Sequence, residues 1–327
     1  MPMHYQQSSK ILEIIKNFNN ILINVHRNPD LDSVGSATAL YQALIKMGKK
    51  VTLVCPHKIP ENFKFLKGAD KVVTFDFTNF INLTNLINSF DLFLILDSGS
   101  YDIVTGSKEI KLPDIKKIII DHHLTNNWTD YVYRLLDTKA SATAEIVYGM
   151  LKDWRVDIDG DISTSLLSGI AGDTVFFKYP KDPAVTFSNV SELMKLGADY
   201  NLLIEKFNDS LSFGFVKLLG EFLKNMKQGA GFVWSAVDYI TFEKYGKPRG
   251  VRETVADSFF RSIKNIKFGV ALIEEEKGKF AVSFRSKKNT DVSVIAKKLG
   301  GGGHKNAAGA TIYGRIDQVI EKIKKII

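Results

Sequence analysis

Along the first 175 residues, short β-branched apolar runs alternate with stretches of helical periodicity, and no other feature of the chain restricts its fold as strongly. Ile21–Val25, Val51–Val54, Leu92–Leu96 and Ile118–Ile120 are short, β-branched and bounded by polar residues, so they read as strands. Val34–Met47 between the first two reads as helix. Strands joined by helical crossovers predict an α/β fold built on a parallel sheet.

Past residue 190 the pattern changes. Leu193, Leu196, Leu202, Ile204, Phe207 and Leu211 recur at three- and four-residue spacing over Ser191–Lys227, which predicts a helical connector. Phe232–Val237, Phe268–Ile273 and Lys279–Phe284 then read as strands. Val292, Ile295, Ala296 and Leu299 form an amphipathic stripe that Ile316, Val319, Ile320 and Ile323 repeat. The expected domains are a parallel-sheet domain over 1–190, the connector over 191–228, and a smaller α/β domain over 229–327.

Length and composition bound the function. A chain of 327 residues allows two domains. It holds no apolar run near the roughly 18 residues that a membrane span needs, and Met1–Lys10 has no apolar core. The expectation is a cytoplasmic protein with no membrane partner. Cys55 is the single cysteine, so an intramolecular disulfide and a cysteine-ligated zinc site are excluded; any metal must be held by His, Asp or Glu. The net charge of +8 rests on 44 basic residues, of which only eight are arginine. Abundant Lys, Ile, Asn and Phe are also what an AT-rich coding sequence yields, so basicity alone does not argue for a nucleic-acid partner.

Three of the strands run straight into acidic or imidazole residues. The first leads to His26, Asp30 and Asp32, the third ends at Asp97, and the fourth ends at Asp121-His122-His123. In an open parallel sheet the carboxyl ends of the strands share one edge, so these residues converge there. Several carboxylates in one crevice repel one another unless cations pair with them, and a His/Asp set without thiolate suits divalent ions in N/O coordination.

The motifs carry a resemblance. His26-Arg-Asn-Pro-Asp30-Leu-Asp32, Asp97, Asp121-His122-His123 and Gly172-Asp173-Thr174 resemble the four ordered motifs of the DHH phosphoesterase superfamily. Phe284-Arg285-Ser286, Asp291-Val292-Ser293 and Gly300-Gly-Gly-Gly-His304-Lys-Asn-Ala-Ala-Gly309 resemble its DHH-associated domain. The chain is similar to the nanoRNase and pAp (3′-phosphoadenosine 5′-phosphate) phosphatase group, and Asp137-Thr-Lys-Ala-Ser141-Ala-Thr143-Ala-Glu145 is similar to that group's stretch between the third and fourth motifs. After the fourth motif, Val175-Phe-Phe-Lys178-Tyr-Pro180 departs from the group's pattern.

The resemblance implies two divalent ions, manganese first, with magnesium, cobalt, iron or zinc as alternatives. His26, Asp30 and Asp97 would hold one ion; Asp32, Asp97, His122 and Asp173 would hold the other, with a bridging hydroxide as the nucleophile. His123 would contact a phosphoryl oxygen or protonate the leaving group, and Asp121 would orient an imidazole. In the second domain Arg285, Ser286, Gly301, Gly302, Gly303 and His304 would bind the end of the substrate remote from the metals, the glycines as a run of N–H donors.

The implied activity is metal-dependent hydrolysis of short RNA or DNA oligonucleotides and dinucleotides such as pApA to mononucleotides, and of pAp to AMP and phosphate, in a chain that could pair as a homodimer. Alternatives from the same site are a cyclic-dinucleotide phosphodiesterase and a polyphosphate or pyrophosphate hydrolase; a non-catalytic RNA-binding module is the alternative from another class.

Overall fold

The computed structural model describes residues 4–110, 112, 114–207, 211–287 and 289–326, with residues 80, 81 and 304 described by their backbone alone. The chain divides into two compact units, Met1–Asp209 and Ser210–Ile327.

In the first unit, β1 (Asn20–Asn24), β2 (Lys50–Cys55), β3 (Val73–Thr74), β4 (Leu92–Leu96), β5 (Lys117–Asp121) and β6 (Tyr133–Leu136) form one sheet in the order β3-β2-β1-β4-β5-β6. Every neighbouring pair is parallel. The four strands expected from the sequence are present; β3 and β6, short and partly polar, carry no apolar run to betray them. Ile21, Ile23, Leu92, Leu94, Leu96, Ile118 and Ile120 face one buried cluster, while Leu22, Phe93, Ile95 and Ile119 face another. Burial on both faces is why these strands read as continuous apolar runs rather than alternating ones.

Helices α1 (Gln6–Lys16), α2 (Leu31–Lys46), α3 (Phe80–Ile87), α4 (Tyr101–Thr105), α5 (Thr143–Asp153), α6 (Gly160–Asp173), α7 (Pro183–Lys195) and α8 (Tyr200–Phe207) complete this unit. α3 and α4 contribute to the second cluster and the others to the first. α2 begins where Asp30 caps it, its carboxylate accepting from Ser33 N at 2.9 Å. α2 and α6 pack with their backbones close together: a Cβ on Gly35 would lie 2.4 Å from the Ser165 carbonyl oxygen.

From β1 the sheet grows one way through β2 and β3, then resumes on the other side of β1 with β4. That reversal opens a crevice at the carboxyl ends of β1 and β4. Asn24 ties the two strands there: its Oδ1 accepts from Leu96 N at 2.7 Å, and its Nδ2 donates to Leu96 O at 3.2 Å and Ser98 Oγ at 3.0 Å. A fully buried amide thus continues the ladder where the strands part.

The helical stretch read as a connector over 191–228 is shared between the two units. α7 and α8 put Leu193 and Leu203 into the first core, whereas α9 (Phe213–Lys224) puts Phe215, Leu218 and Phe222 into the core of the second. Periodicity reveals an apolar stripe but not which core it meets.

In the second unit, β7 (Lys227–Gln228), β8 (Phe232–Val237), β9 (Phe268–Glu276), β10 (Lys279–Ser286), β11 (Gly302–His304) and β12 (Ala307–Tyr313) run in the order β11-β12-β10-β9-β8-β7. β8 and β9 are parallel and the other pairs antiparallel. α9, α10 (Tyr239–Lys244), α11 (Val251–Thr254) and a π-helical turn at Val255–Phe259 pack on one face; α12 (Val292–Lys298) and α13 (Ile316–Lys324) pack on the other. Among the described residues no helix is long and apolar enough to cross a membrane.

Candidate active site

β1, β4 and β5 deliver His26, Asp97 and Asp121 to one edge of the sheet, α2 adds Asp30 and Asp32 from its N-terminus, and α6 adds Asp173 from its C-terminus. Three overlapping groups have ligand atoms within 4.8 Å of one another: His26, Asp30 and Asp97; Asp97, His122 and His123; and Asp32, His122 and Asp173. Asp97 links them. Its Oδ2 lies 3.4 Å from His26 Nε2 and its Oδ1 lies 3.5 Å from His122 Nε2.

Each side chain is aimed by a bond on its far side. His26 Nδ1 donates to Arg27 O at 2.9 Å, which turns Nε2 toward Asp30 and Asp97. Asp32 is fully buried and accepts from Thr143 N at 2.6 Å and Ala144 N at 2.9 Å, so the N-terminus of α5 holds this carboxylate. Thr143 also donates from Oγ1 to Asp97 Oδ1 at 3.0 Å. Thr143 therefore fixes two of the acids at once, a role its sequence context did not announce.

Asp97 has a left-handed backbone, with φ of 51°. Non-glycine residues rarely adopt it, Asp and Asn most readily, and such conformations gather at functional sites. Val175, Phe176 and Phe177, directly after the Asp173-Thr174 pair, are left-handed in succession at φ of 51°, 52° and 65°. Thr174 braces this turn, its Oγ1 accepting from Phe177 N at 3.0 Å and its carbonyl from Tyr179 N at 2.9 Å. This is where the sequence departs from the family pattern.

Asp121 is held by donors of its own loop. Its Oδ1 accepts from His122 N at 2.8 Å and from His123 Nδ1 at 2.8 Å, and its Oδ2 accepts from Asn126 Nδ2 at 2.8 Å. Burial opposes its ionisation, yet the His123 imidazole and these donors hold it below the usual carboxylate range.

The electrostatics of the other acids run the opposite way. Burial, and then the charges of Asp97, Asp173 and Asp30, push Asp32 well above the ordinary carboxylate range. Asp97 is raised by burial, against the pull of His26. Burial works against a charged His26, but hydrogen bonds to Asp30 and Asp97 outweigh it and push the imidazole up to about 12. Protons thus take up charge that the carboxylates cannot neutralise among themselves. His122 Nε2, directed at Asp97 and Asp173, is buried without a hydrogen-bond partner. A buried imidazole nitrogen facing clustered carboxylates is a donor set made for cations, and the residues present fit divalent ions.

The second unit treats its predicted residues less uniformly. Arg285 lies on the face of β10 that meets the helical 251–260 segment, with Nη1 donating to Phe284 O at 3.0 Å and Nε 3.8 Å from Asp257 Oδ1. Arg261 reaches the same carboxylate oxygen at 3.2 Å, and Arg252 donates to Ser283 Oγ at 2.9 Å and to Glu253 at 3.0 Å. Three of the eight arginines thus gather on one face, which their wide spacing in the sequence concealed.

Ser286 is buried and donates to Thr290 O at 2.6 Å while accepting from Asn306 Nδ2 at 3.0 Å; it holds a turn together. The glycine run does not form the row of converging N–H donors that the sequence suggested. Gly300 closes α12 at φ of 78°, and 302–304 is a strand paired with β12. A Cβ on Gly301 would sit 2.1 Å from Gly309 O, and one on Gly303 would sit 2.6 Å from Ala307 O. Close backbone approach explains those two glycines; an added Cβ on Gly300 or Gly302 would meet nothing within 4 Å, and of these two only Gly300 has a positive φ. The side chain of His304 lies outside the described residues.

Comparison with known proteins agrees with this arrangement. The family profile for the DHH family, N-terminal domain, matches residues 20–170, and that for the DHHA1 domain matches residues 235–327. The chain is 26% identical to the bifunctional oligoribonuclease and PAP phosphatase NrnA of Thermus thermophilus, covering 100% of this chain and 95% of that one. It is 25% identical to the cyclic-di-AMP phosphodiesterase GdpP of Bacillus subtilis, covering 98% of this chain but 49% of that one. An exopolyphosphatase-related protein from Bacteroides fragilis shares the fold, with a TM-score of 0.88 at 23% identity over 98% of this chain and 95% of that one. With a DHH domain followed by a DHHA1 domain, and the family's Asp and His residues gathered at the edge of the parallel sheet, the chain belongs to the DHH phosphoesterase family.

Proposed function

We propose that the protein is a metal-dependent hydrolase that cuts short oligonucleotides to mononucleotides and converts pAp to AMP and phosphate. The observation that carries this reading is the linkage through Asp97, whose two carboxylate oxygens face His26 on one side and His122 on the other. His26, Asp30 and Asp97 would hold one divalent ion, and Asp32, Asp97, His122 and Asp173 a second, manganese being our first choice for this N/O donor set. Ions in such a site activate water and offset the charge of phosphate oxygens.

The protein's own groups do the rest. Asp121 accepts from His123 Nδ1 and so orients the ring, and His123 would hand a proton to the leaving oxygen. The N-terminus of α5 and Thr143 keep Asp32 and Asp97 from shifting as substrate enters. Arg285 would bind a phosphate remote from the scissile bond, since a guanidinium can engage phosphate oxygens bidentately. Gly302 has open space beside it and would let a ligand approach the backbone.

The oligoribonuclease and pAp reading is favoured over cyclic-dinucleotide hydrolysis because relatives named for it match over nearly their full length, whereas the cyclic-di-AMP phosphodiesterase is matched over about half. The test is metal-stripped protein reloaded separately with manganese, magnesium or zinc and offered pApA, a five-nucleotide RNA, pAp, cyclic di-AMP and polyphosphate. Mononucleotide released from pApA and the RNA supports the reading. Turnover of cyclic di-AMP or polyphosphate alone rejects it.

A further inference from the structure

We propose that His57 is a positioning residue of this site, fixing the turn between His26 and Asp30 by accepting a hydrogen bond from the Asn28 amide. That role presupposes the metal-dependent reading above, in which His26 and Asp30 hold the same ion. His57 lies just past the end of β2, outside every motif of the family resemblance. The bonding between β1 and β2 runs as far as Val25, whose N donates to Val54 O at 2.7 Å. Past that bond, side chains from the end of β2 take over. Cys55 Sγ donates to His26 O at 3.4 Å, His57 N donates to Cys55 Sγ at 3.4 Å, and Asn28 N donates to His57 Nδ1 at 3.0 Å. A backbone N–H can only donate, so Nδ1 is the acceptor.

The turn needs such a hold. Asn28 is left-handed, with φ of 50°, and it precedes Pro29, which favours extended backbone in the residue before it. A backbone held against that preference persists only where its surroundings over-determine it. Arg27 is tied separately, its N donating to Ile103 O at 2.8 Å and its guanidinium meeting Asp102 at 3.0 Å. Pro29 has no N–H to give. The Asn28 amide is thus the donor through which the middle of the turn is fixed, and His57 receives it. Across this turn His26 Nε2 stands 3.5 Å from Asp30 Oδ2. Two ligands on one turn share an ion only if the turn keeps their separation.

Exposure sets this role apart from a support of the fold. Asn28 and His57 are both exposed, so water can replace the imidazole on the Asn28 amide at little cost in stability. Water does not supply direction, because it moves with the turn, whereas His57 is rooted on Cys55 at the buried end of β2. Losing the acceptor therefore loosens His26 and Asp30. Asp32, His122 and Asp173 take their positions from α5, β5 and α6 instead.

The test compares wild type with His57→Phe, which keeps a ring and loses the acceptor, and with His57→Asn, whose Oδ1 is bonded to Cγ as Nδ1 is. Each is measured by manganese titration of the metal-stripped protein, by melting temperature, and by kcat and KM for bis-p-nitrophenyl phosphate. His57→Phe is expected to melt as wild type does and to bind one of two manganese ions about tenfold more weakly, with His57→Asn restoring most of the loss. Its kcat should fall at limiting manganese, while KM at saturating manganese stays unchanged. Manganese affinities within twofold of wild type in His57→Phe would overturn the proposal, as would equal weakening of both ions or a His57→Asn no better than His57→Phe. A melting temperature that falls along with metal affinity would make His57 a support of the fold and overturn it too. Wild type that binds both ions with this dependence on His57 yet cuts neither pApA nor pAp would reject the proposed function and leave this assignment standing. Wild type that takes up no divalent ion would overturn both.

Discussion

Asp97 concentrates more of the site's physics than any other residue: a left-handed backbone, a buried carboxylate, and one oxygen on each side of the cluster. Asn tolerates that backbone, and its Oδ1 can still accept from Thr143, so Asp97→Asn removes the charge while keeping the fold. We expect manganese content to fall from two ions to one or none and turnover of every substrate to drop by about a hundredfold or more, since even an outer partner of a ligand is worth 10- to 100-fold. Metal analysis and steady-state rates check this; two retained ions with near-normal rates would refute the shared-ligand assignment. Asn24 supports Asp97 from below. Asn24→Leu would strip the acceptor from the buried Leu96 N–H, leaving Leu96 O with Ser98 Oγ as its donor, and is expected to cost about 1 to 3 kcal/mol in urea unfolding.

At the scale of elements, the site depends on how closely α2, α5 and α6 pack. A Cβ on Gly169 of α6 would lie 2.6 Å from Ala144 Cβ and 2.9 Å from Asp32 Oδ1, inside contact distance for both. Gly169→Ala must therefore push α5 or α2 aside, at roughly 1 to 3 kcal/mol, and the group displaced is the carboxylate that α5 holds. The expected result is a lower melting temperature together with weaker metal binding. Gly48, in a turn where an added Cβ meets nothing, is the control: its φ of 79° should make Gly48→Ala cost stability while metal affinity stays unchanged. Equal metal affinity in both variants would show that helix packing does not set the site.

For the whole molecule, the Asp/His cluster belongs to one unit and the arginine-bearing face to the other, each with its own core. Arg285→Ala is therefore expected to raise KM for pApA and short RNA by about tenfold while bis-p-nitrophenyl phosphate, which lacks a second phosphate, is cleaved as before. An equal loss on both would show that this face is not a substrate clamp. Chain length gives a second expectation. Both sheets are covered on both faces, so neither offers an open β-surface on which successive bases could stack and track. Turnover should fall from two- to five- to twenty-four-nucleotide RNA. The net charge of +8 argues for the reverse, tighter binding of long RNA with steep salt dependence, and initial rates at two salt concentrations separate the two.

The sequence by itself determined what is local. β-Branched runs, helix caps and acidic residues at strand ends depend on near neighbours and on burial, which is non-directional, so β1, β4, β5 and the convergence of His26, Asp97 and His122 at one sheet edge were legible from pattern alone. The resemblance of the motifs added the family. Only the tertiary structure decided what depends on direction and on partners distant in the chain. It put the α5 N-terminus on Asp32 and spent every Asp121 oxygen on His122, His123 and Asn126. It also paired the glycine run with β12, split the helical stretch between two cores, and set His57 beside Asn28. Hydrogen bonds need specific atoms about 3 Å apart, and residues tens of positions away in the chain reach that distance only once the fold has brought them together.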